Sequence, residues 1–195
     1  MKKILIGGLV VLLSFSASSF ANTPTESLKL AVDQLIAVAV DKSTDDIAKK
    51  AKLSTIIQAE VDFEAVSRRV VSKSWKKATD EQKKQFKAQF KTIMVDTYFV
   101  LLKSYSNEEV MFTKEQIKKD KYAIVDTQII SGNKKTPVRY RLIKVDNSWK
   151  IYDFIPEGIS LINSYKNNYR TILKKQGMQG LLENMTKTKD KKSKG

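Results

Sequence analysis

Neither cysteine nor histidine occurs anywhere in the 195 residues. Without cysteine there is no disulfide, no thiolate nucleophile and no thiol for a lipoprotein anchor, so stability has to come from a packed core. A chain of this length can bury one. Without histidine the chain lacks the usual general base, the usual metal ligand and the Ser–His and Cys–His nucleophile systems, which argues against most enzyme mechanisms. Acidic residues are scarce, 21 Asp and Glu against 36 Lys and Arg, and the net charge is +15. Such a surface favours anionic partners, although each lysine taken singly reads as a solvated side chain. There is no internal repeat, Gly-rich phosphate loop or metal-ligand cluster, and beyond the first residues no apolar run is long enough to span a membrane.

That first run is informative. Lys2 and Lys3 precede an uncharged apolar stretch from Ile4 to about Phe15, and small residues follow to Ser19-Phe20-Ala21. The pattern predicts a cleaved secretory signal over residues 1–21; a transmembrane anchor, the competing reading, would need roughly 20 apolar residues. Residues 22–186 then form one domain, and the mature chain is still at +13 once Lys2 and Lys3 have gone. Residues 187–195 hold five Lys and one Asp with nothing apolar, the composition of a disordered basic tail. Export makes nucleic acid a poor partner for the basic surface.

Helical spacing dominates the first half. Leu28, Ala31, Val32, Leu35, Ile36 and Ala39 mark a helix from Thr25 to Val40, and Ile47, Ala51, Ile56 and Ile57 a second from Asp45 or Asp46 to about Ala59. A third is predicted from Asp62 to about Trp75, with Phe63, Val66, Val70 and Val71 on one side and Arg68 and Arg69 opposite or flanking. Thr79 followed by Gln82 is a capping box that opens a long helix. Its stripe of Phe86, Phe90, Ile93, Met94, Thr97, Tyr98, Leu101, Leu102 and Tyr105 fits ordinary core packing against a sheet.

Strand signals take over at Val110–Thr113, Tyr122–Ile130, Thr136–Val145 and Trp149–Ile155. The turns between the last three are too short for crossovers, so an antiparallel meander is expected and the fold class is α+β. Strict alternation puts Val125, Ile129, Val138, Tyr140, Leu142, Tyr152 and Phe154 on the inner face. It puts Ile124, Arg139, Arg141, Ile143, Trp149 and Ile151 on the other. Pro156 and Gly158 end the last strand. Ile159, Ile162, Tyr165, Tyr169, Ile172 and Leu173 then read as a helix that stops at Gly177, and Met178, Leu181, Leu182 and Met185 suggest one more. Asp153 and Glu157 are a weak acid–base pair with no nucleophile beside them. Hydrogen bonding at the sheet-to-helix corner is the favoured role, and Ser160 has no partner base.

With these residues in view, the chain resembles the periplasmic MlaC, or toluene-tolerance, family from roughly Leu28 to Met185. The resemblance is carried by Val61-Asp62-Phe63, Ser67-Arg68-Arg69, Trp75 to Thr79, Gln82, Phe86, Phe90 and Tyr98. A second block adds Val138-Arg139-Tyr140-Arg141, Trp149 to Asp153, Glu157-Gly158-Ile159-Ser160 and Gly177. One departure is Ser72, where many relatives carry Gly. The resemblance implies a curved four-stranded antiparallel sheet packed with several helices around an apolar lipid pocket. It implies a soluble, monomeric periplasmic carrier of phospholipid that supports outer-membrane lipid asymmetry and needs no cofactor. Its partners would be an outer-membrane lipoprotein complex and the lipid-binding substrate subunit of an inner-membrane ABC transporter.

The expected lipid-contacting residues are Val66, Val70, Phe90, Met94, Tyr98, Val125, Ile129, Val138, Tyr140, Leu142, Tyr152, Phe154, Ile159, Ile162 and Tyr165. The alternative is a periplasmic interaction or chaperone-like module with the same elements and a filled core.

Overall fold

In the computed structural model, which describes residues 23–192, the order of elements follows directly from the caps and breakers. The signal segment 1–21 lies outside the described residues. Helix α1 (Pro24–Val40) opens on a capping box, the Thr23 side chain accepting from Glu26 N–H and the Glu26 carboxylate from Thr23 N–H. Helix α2 (Asp46–Glu60) is capped by Asp45. Helix α5 (Asp80–Lys103) starts on the Thr79–Gln82 box, with both reciprocal bonds made, at 3.2 and 3.1 Å. Each box satisfies orphan N–H groups at a helix start. No described helix is long and apolar enough to cross a membrane.

The helix expected over 62–75 is two, α3 (Phe63–Val71) and α4 (Lys73–Lys77). Ser72 divides them because its backbone sits at φ 51° and ψ −118°, far from helical values. Glycine reaches that region at little cost; serine is strained there. The position is the one where many relatives were expected to carry Gly. Its hydroxyl donates to Arg69 O at 3.0 Å and offsets part of the strain.

Strands β1 (Glu109–Lys118), β2 (Tyr122–Ser131), β3 (Lys134–Val145) and β4 (Ser148–Pro156) pair antiparallel in the order β1-β2-β3-β4. Asp146 and Asn147, both at positive φ, make the tight turn between β3 and β4. β1 continues past the expected Thr113, because its charged second half reads poorly by alternation yet suits an edge strand. Two register shifts interrupt the ladder, one between Phe112 and Lys114 and one opposite Tyr152, where Arg141 faces Asp153 but Leu142 faces Ile151. A bulge adds one residue to one strand and reverses the phase beyond it. Trp149 and Ile151 therefore join Leu142, Tyr140 and Phe154 on one face, which corrects the strict alternation assumed for β4.

Among the described residues two apolar clusters hold the fold together. Phe86 and Phe90 of α5 stack at 5.5 Å and are fully buried among Val66 and Val70 of α3 and Leu181 of the last helix, α6 (Leu161–Lys192). Burial of each such side chain contributes about 1.5–3 kcal/mol. In the second cluster Leu28 of α1 packs on Val125, Leu142 and Trp149 of the sheet. Thr25 ties the start of α1 to β1 through Glu115 at 2.8 Å. α6 kinks at Gly177, with φ 66° and ψ −161°, and Met178, Leu181, Leu182 and Met185 beyond it are buried. It runs on to Lys192, into the basic segment that begins at Lys187. Adding residues to a helix already nucleated is cheap even for a polar sequence.

Replacing Ser72 by Gly should raise stability by about 0.5–1 kcal/mol in urea unfolding, since relieved strain exceeds the lost hydroxyl bond. Ser72→Ala, which keeps the strain and loses the bond, should fall below wild type. A destabilised glycine variant would refute the assignment of strain.

Candidate functional site

Between α1, α2 and α5 on one side and the inner sheet face on the other, the packing leaves a cavity of about 290 Å3. α5 contributes Met94, Tyr98, Leu101 and Leu102 from one side of the helix, and Tyr105 follows just past its end. From α1 come Ala31, Leu35, Ile36 and Ala39, and from α2 Leu53, Ile56 and Ile57, with Glu60 and Val61 at its end. The sheet supplies Ile129, Tyr140, Ile151 and Phe154. Ala31 and Ala39 stand where larger side chains would fill the gap. Leu101 lines the cavity and is also 57 % exposed, so the space reaches the surface there.

The wall is rigid on the aromatic side. Phe154 meets Tyr98 edge-on at 5.9 Å and Tyr140 at 5.3 Å, arrangements that add to the area term. Burial pushes the Tyr140 hydroxyl up to about 12. Tyr98 is also raised, chiefly by burial and then by Tyr165, Tyr140 and Asp153. Both therefore stay neutral across the ordinary pH range. Apart from Glu60 and the tyrosine hydroxyls, every lining side chain is apolar. The geometry suits an apolar guest held by shape, and it offers no nucleophile paired with a base.

The carboxylate singled out at the corner is structural. Asp153, with 2 % of its side chain exposed, accepts from Ser160 Oγ at 2.8 Å and Ile162 N at 3.2 Å, with Arg141 at 3.4 Å. Ser160 in turn accepts from Asn163 N, so the pair caps α6. Glu157 is exposed in the following turn, and all of Asp153's partners lie elsewhere. Among the described residues no group of His, Cys, Asp and Glu could hold a metal ion.

Of the fifteen residues proposed from sequence, Met94, Tyr98, Ile129, Tyr140 and Phe154 line this cavity. The other ten do not, for identifiable reasons. Val66, Val70, Phe90 and Ile162 belong to the filled core between α3, α5 and α6, and Tyr165 packs edge-on against Phe90 at 4.8 Å. Val125 and Leu142 lie under Leu28 in the second cluster, and Val138 is buried on the same sheet face without reaching the cavity. Ile159 is 66 % exposed in the turn before α6. Tyr152, the bulged residue, stands under the Arg69 guanidinium at 4.2 Å. The α1 and α2 linings went unassigned because a helical stripe announces burial without naming its partner; the alanines at 31 and 39 were the available hint.

Comparison with known proteins places the whole arrangement. The sequence profile of the MlaC protein family matches residues 29–187. The chain is 26% identical over 191 residues to the intermembrane phospholipid transport system binding protein MlaC of Haemophilus influenzae, covering 89% of each. It is 24% identical over 127 residues to the toluene tolerance protein ttg2D of Pseudomonas putida, 64% of this chain and 59% of that protein. A phospholipid-binding protein of Ralstonia solanacearum, solved in complex with a phospholipid, superposes with a TM-score of 0.77 at 23% identity, over 85% of this chain and 96% of that one. That likeness establishes a shared fold.

The buried tyrosines set an alkaline limit. Their folded-state pKa values lie above the unfolded value of about 10, so the stability they confer is complete below that pH and is lost as pH rises toward 12. The melting temperature should fall over this range, and a Tyr98→Phe/Tyr140→Phe double variant should fall less steeply. Parallel curves would show that neither hydroxyl is buried as described.

Proposed function

Because the chain belongs to the MlaC family, we propose that it is a non-catalytic carrier that buries the acyl chains of a phospholipid in the cavity between α1, α2, α5 and the sheet. It moves that lipid through the periplasm between an outer-membrane lipoprotein complex and the lipid-binding subunit of an inner-membrane ABC transporter. The observation that carries this reading is the cavity itself, an apolar space between layers with an exposed edge at Leu101. Each methylene hidden from water is worth about 0.8 kcal/mol, so two membrane-length chains amount to roughly 20 kcal/mol, and a carrier must conceal nearly all of it. The names of the Haemophilus and Pseudomonas relatives and the phospholipid in the Ralstonia complex support the same reading.

In this reading Met94, Tyr98, Ile129, Tyr140 and Phe154 contact the acyl chains together with Leu35, Ile36, Ile56 and Leu102. At about 290 Å3 the cavity is at the lower edge of the roughly 300–1,000 Å3 that holds drug-sized ligands. A diacyl lipid is larger, so loading displaces a wall. α2 is a wall whose polar ties to α5 lie at the surface. Lys50–Asp96 at 2.6 Å and Lys103–Asp46 at 2.7 Å join it to α5, and both pairs are solvent-exposed. Such pairs contribute about 0–1 kcal/mol each and weaken with salt.

Native mass spectrometry of protein beginning at Asn22, purified without detergent, tests the reading. Wild type should carry about one diacyl phospholipid, and Ile36→Asp and Leu102→Asp should lose it several-fold while circular dichroism stays at the wild-type signal. Protein that carries no lipid and takes none from vesicles would reject the carrier and favour an interaction module.

A further inference from the structure

On the other face of β4, away from the apolar cavity, lies a second concavity of about 410 Å3 that shares no lining residue with the first. Its walls bring together Arg69 near the end of α3, Arg141 of β3 and Lys166 of α6. Arg69 is held in place: its guanidinium lies over the Tyr152 ring at 4.2 Å, and one nitrogen donates to Ala65 O at 2.9 Å. Among the described residues neither Arg69 nor Lys166 is in an ion pair. The lining holds one carboxylate, Asp153, and it is already engaged by Ser160 Oγ and Ile162 N. Its contact with Arg141, at 3.4 Å, is long for an ionic hydrogen bond. Three cations therefore face one buried carboxylate, and the Asn163 side-chain amide adds a neutral donor at the rim.

We propose that this pocket binds a phosphate group. Its donors come from three separate elements, α3, β3 and α6, and a tetrahedral oxyanion can accept from several such donors where a planar carboxylate accepts in one plane. Guanidinium forks match phosphate oxygens in pairs, and the lysine adds a compact charge. The bulge at Tyr152 creates the pocket, because it turns Tyr152 under Arg69 while Ile151 and Phe154 face the cavity. The assignment does not rest on the carrier reading. A free phosphate ion and the phosphodiester of a membrane lipid present the same chemistry, and the experiment separates them.

Isothermal titration at low ionic strength would measure inorganic phosphate binding to protein beginning at Asn22. The variants are Lys166→Gln, Arg69→Gln/Lys166→Gln, and a Lys84→Gln/Lys174→Gln control that removes equal charge elsewhere. The pocket double variant should weaken binding by about tenfold or more and the control by less than about twofold. Lys166 is exposed, so its single variant preserves the test should the Arg69 change disturb folding. Flotation with phosphatidylglycerol vesicles identifies the source. Loss confined to the pocket variants points to a lipid phosphodiester, and unchanged flotation beside weakened phosphate binding points to the free ion. Equal losses in pocket and control variants, or no phosphate binding by wild type, would overturn the proposal.

Discussion

Tyr152 is one residue more than the β3–β4 ladder needs, and the character of both sheet faces depends on that surplus. Up to Arg141 and Asp153 the pairing is regular; past them Leu142 meets Ile151, and β4 has changed phase. Without the shift, Ile151 and Trp149 would turn away from Leu28 and the α1 layer, and the second cluster would lose its indole. With it, β4 gives apolar side chains to one face and Tyr152 and Asp153 to the other. A one-residue change of register exchanges every side chain beyond it, so a bulge separates an apolar site from a polar one within a few residues.

Cohesion is distributed unevenly as a result. Phe86, Phe90, Val70 and Leu181 fill the space between α3, α5 and α6 completely, and Leu28 closes the sheet under the start of α1. The remaining region, under the C-terminal half of α1 and beside α2, is where side chains line a space and do not fill it. α5 links the two regimes. Its first turns, through Phe90, belong to the packed core, and from Met94 onward the same helix stripe faces the cavity. A protein that opens there need not loosen its core, because the local unfolding cost is set by the contacts of the opening segment.

Much of this was legible from residue order. The capping box at Thr79–Gln82, the stripe of α5, the hairpin turns and the stop at Gly177 each carry a local physical signal that tertiary packing does not override. What stayed hidden was of two kinds. Backbone irregularities left little trace: the break at Ser72 falls on a residue with no special claim to positive φ, and the bulge at Tyr152 sits inside a stretch that alternates well as written. Layer assignments were the second kind. Phe90 and Met94 lie one turn apart on one stripe, yet one is in the core and the other at the cavity, because stripes report burial and not which layer provides it.

The charge distribution gives the absence of histidine a physical consequence. Glu60 at the end of α2 is the one carboxylate in the cavity lining, and burial holds the Tyr98 and Tyr140 hydroxyls neutral until well above neutrality. The cations sit elsewhere, on solvated faces and around Tyr152. A charge inside an apolar site would need a partner or would shift toward neutrality, and either would tie the site to pH or to a counter-ion. Keeping lysine and arginine out of the lining, and supplying no histidine to switch, lets the cavity's affinity for an apolar guest depend chiefly on area and shape. A change in the size of the cavity must then come through its walls, and the exposed ion pairs that fasten α2 to α5 are a place where a small change in electrostatics reaches one of them.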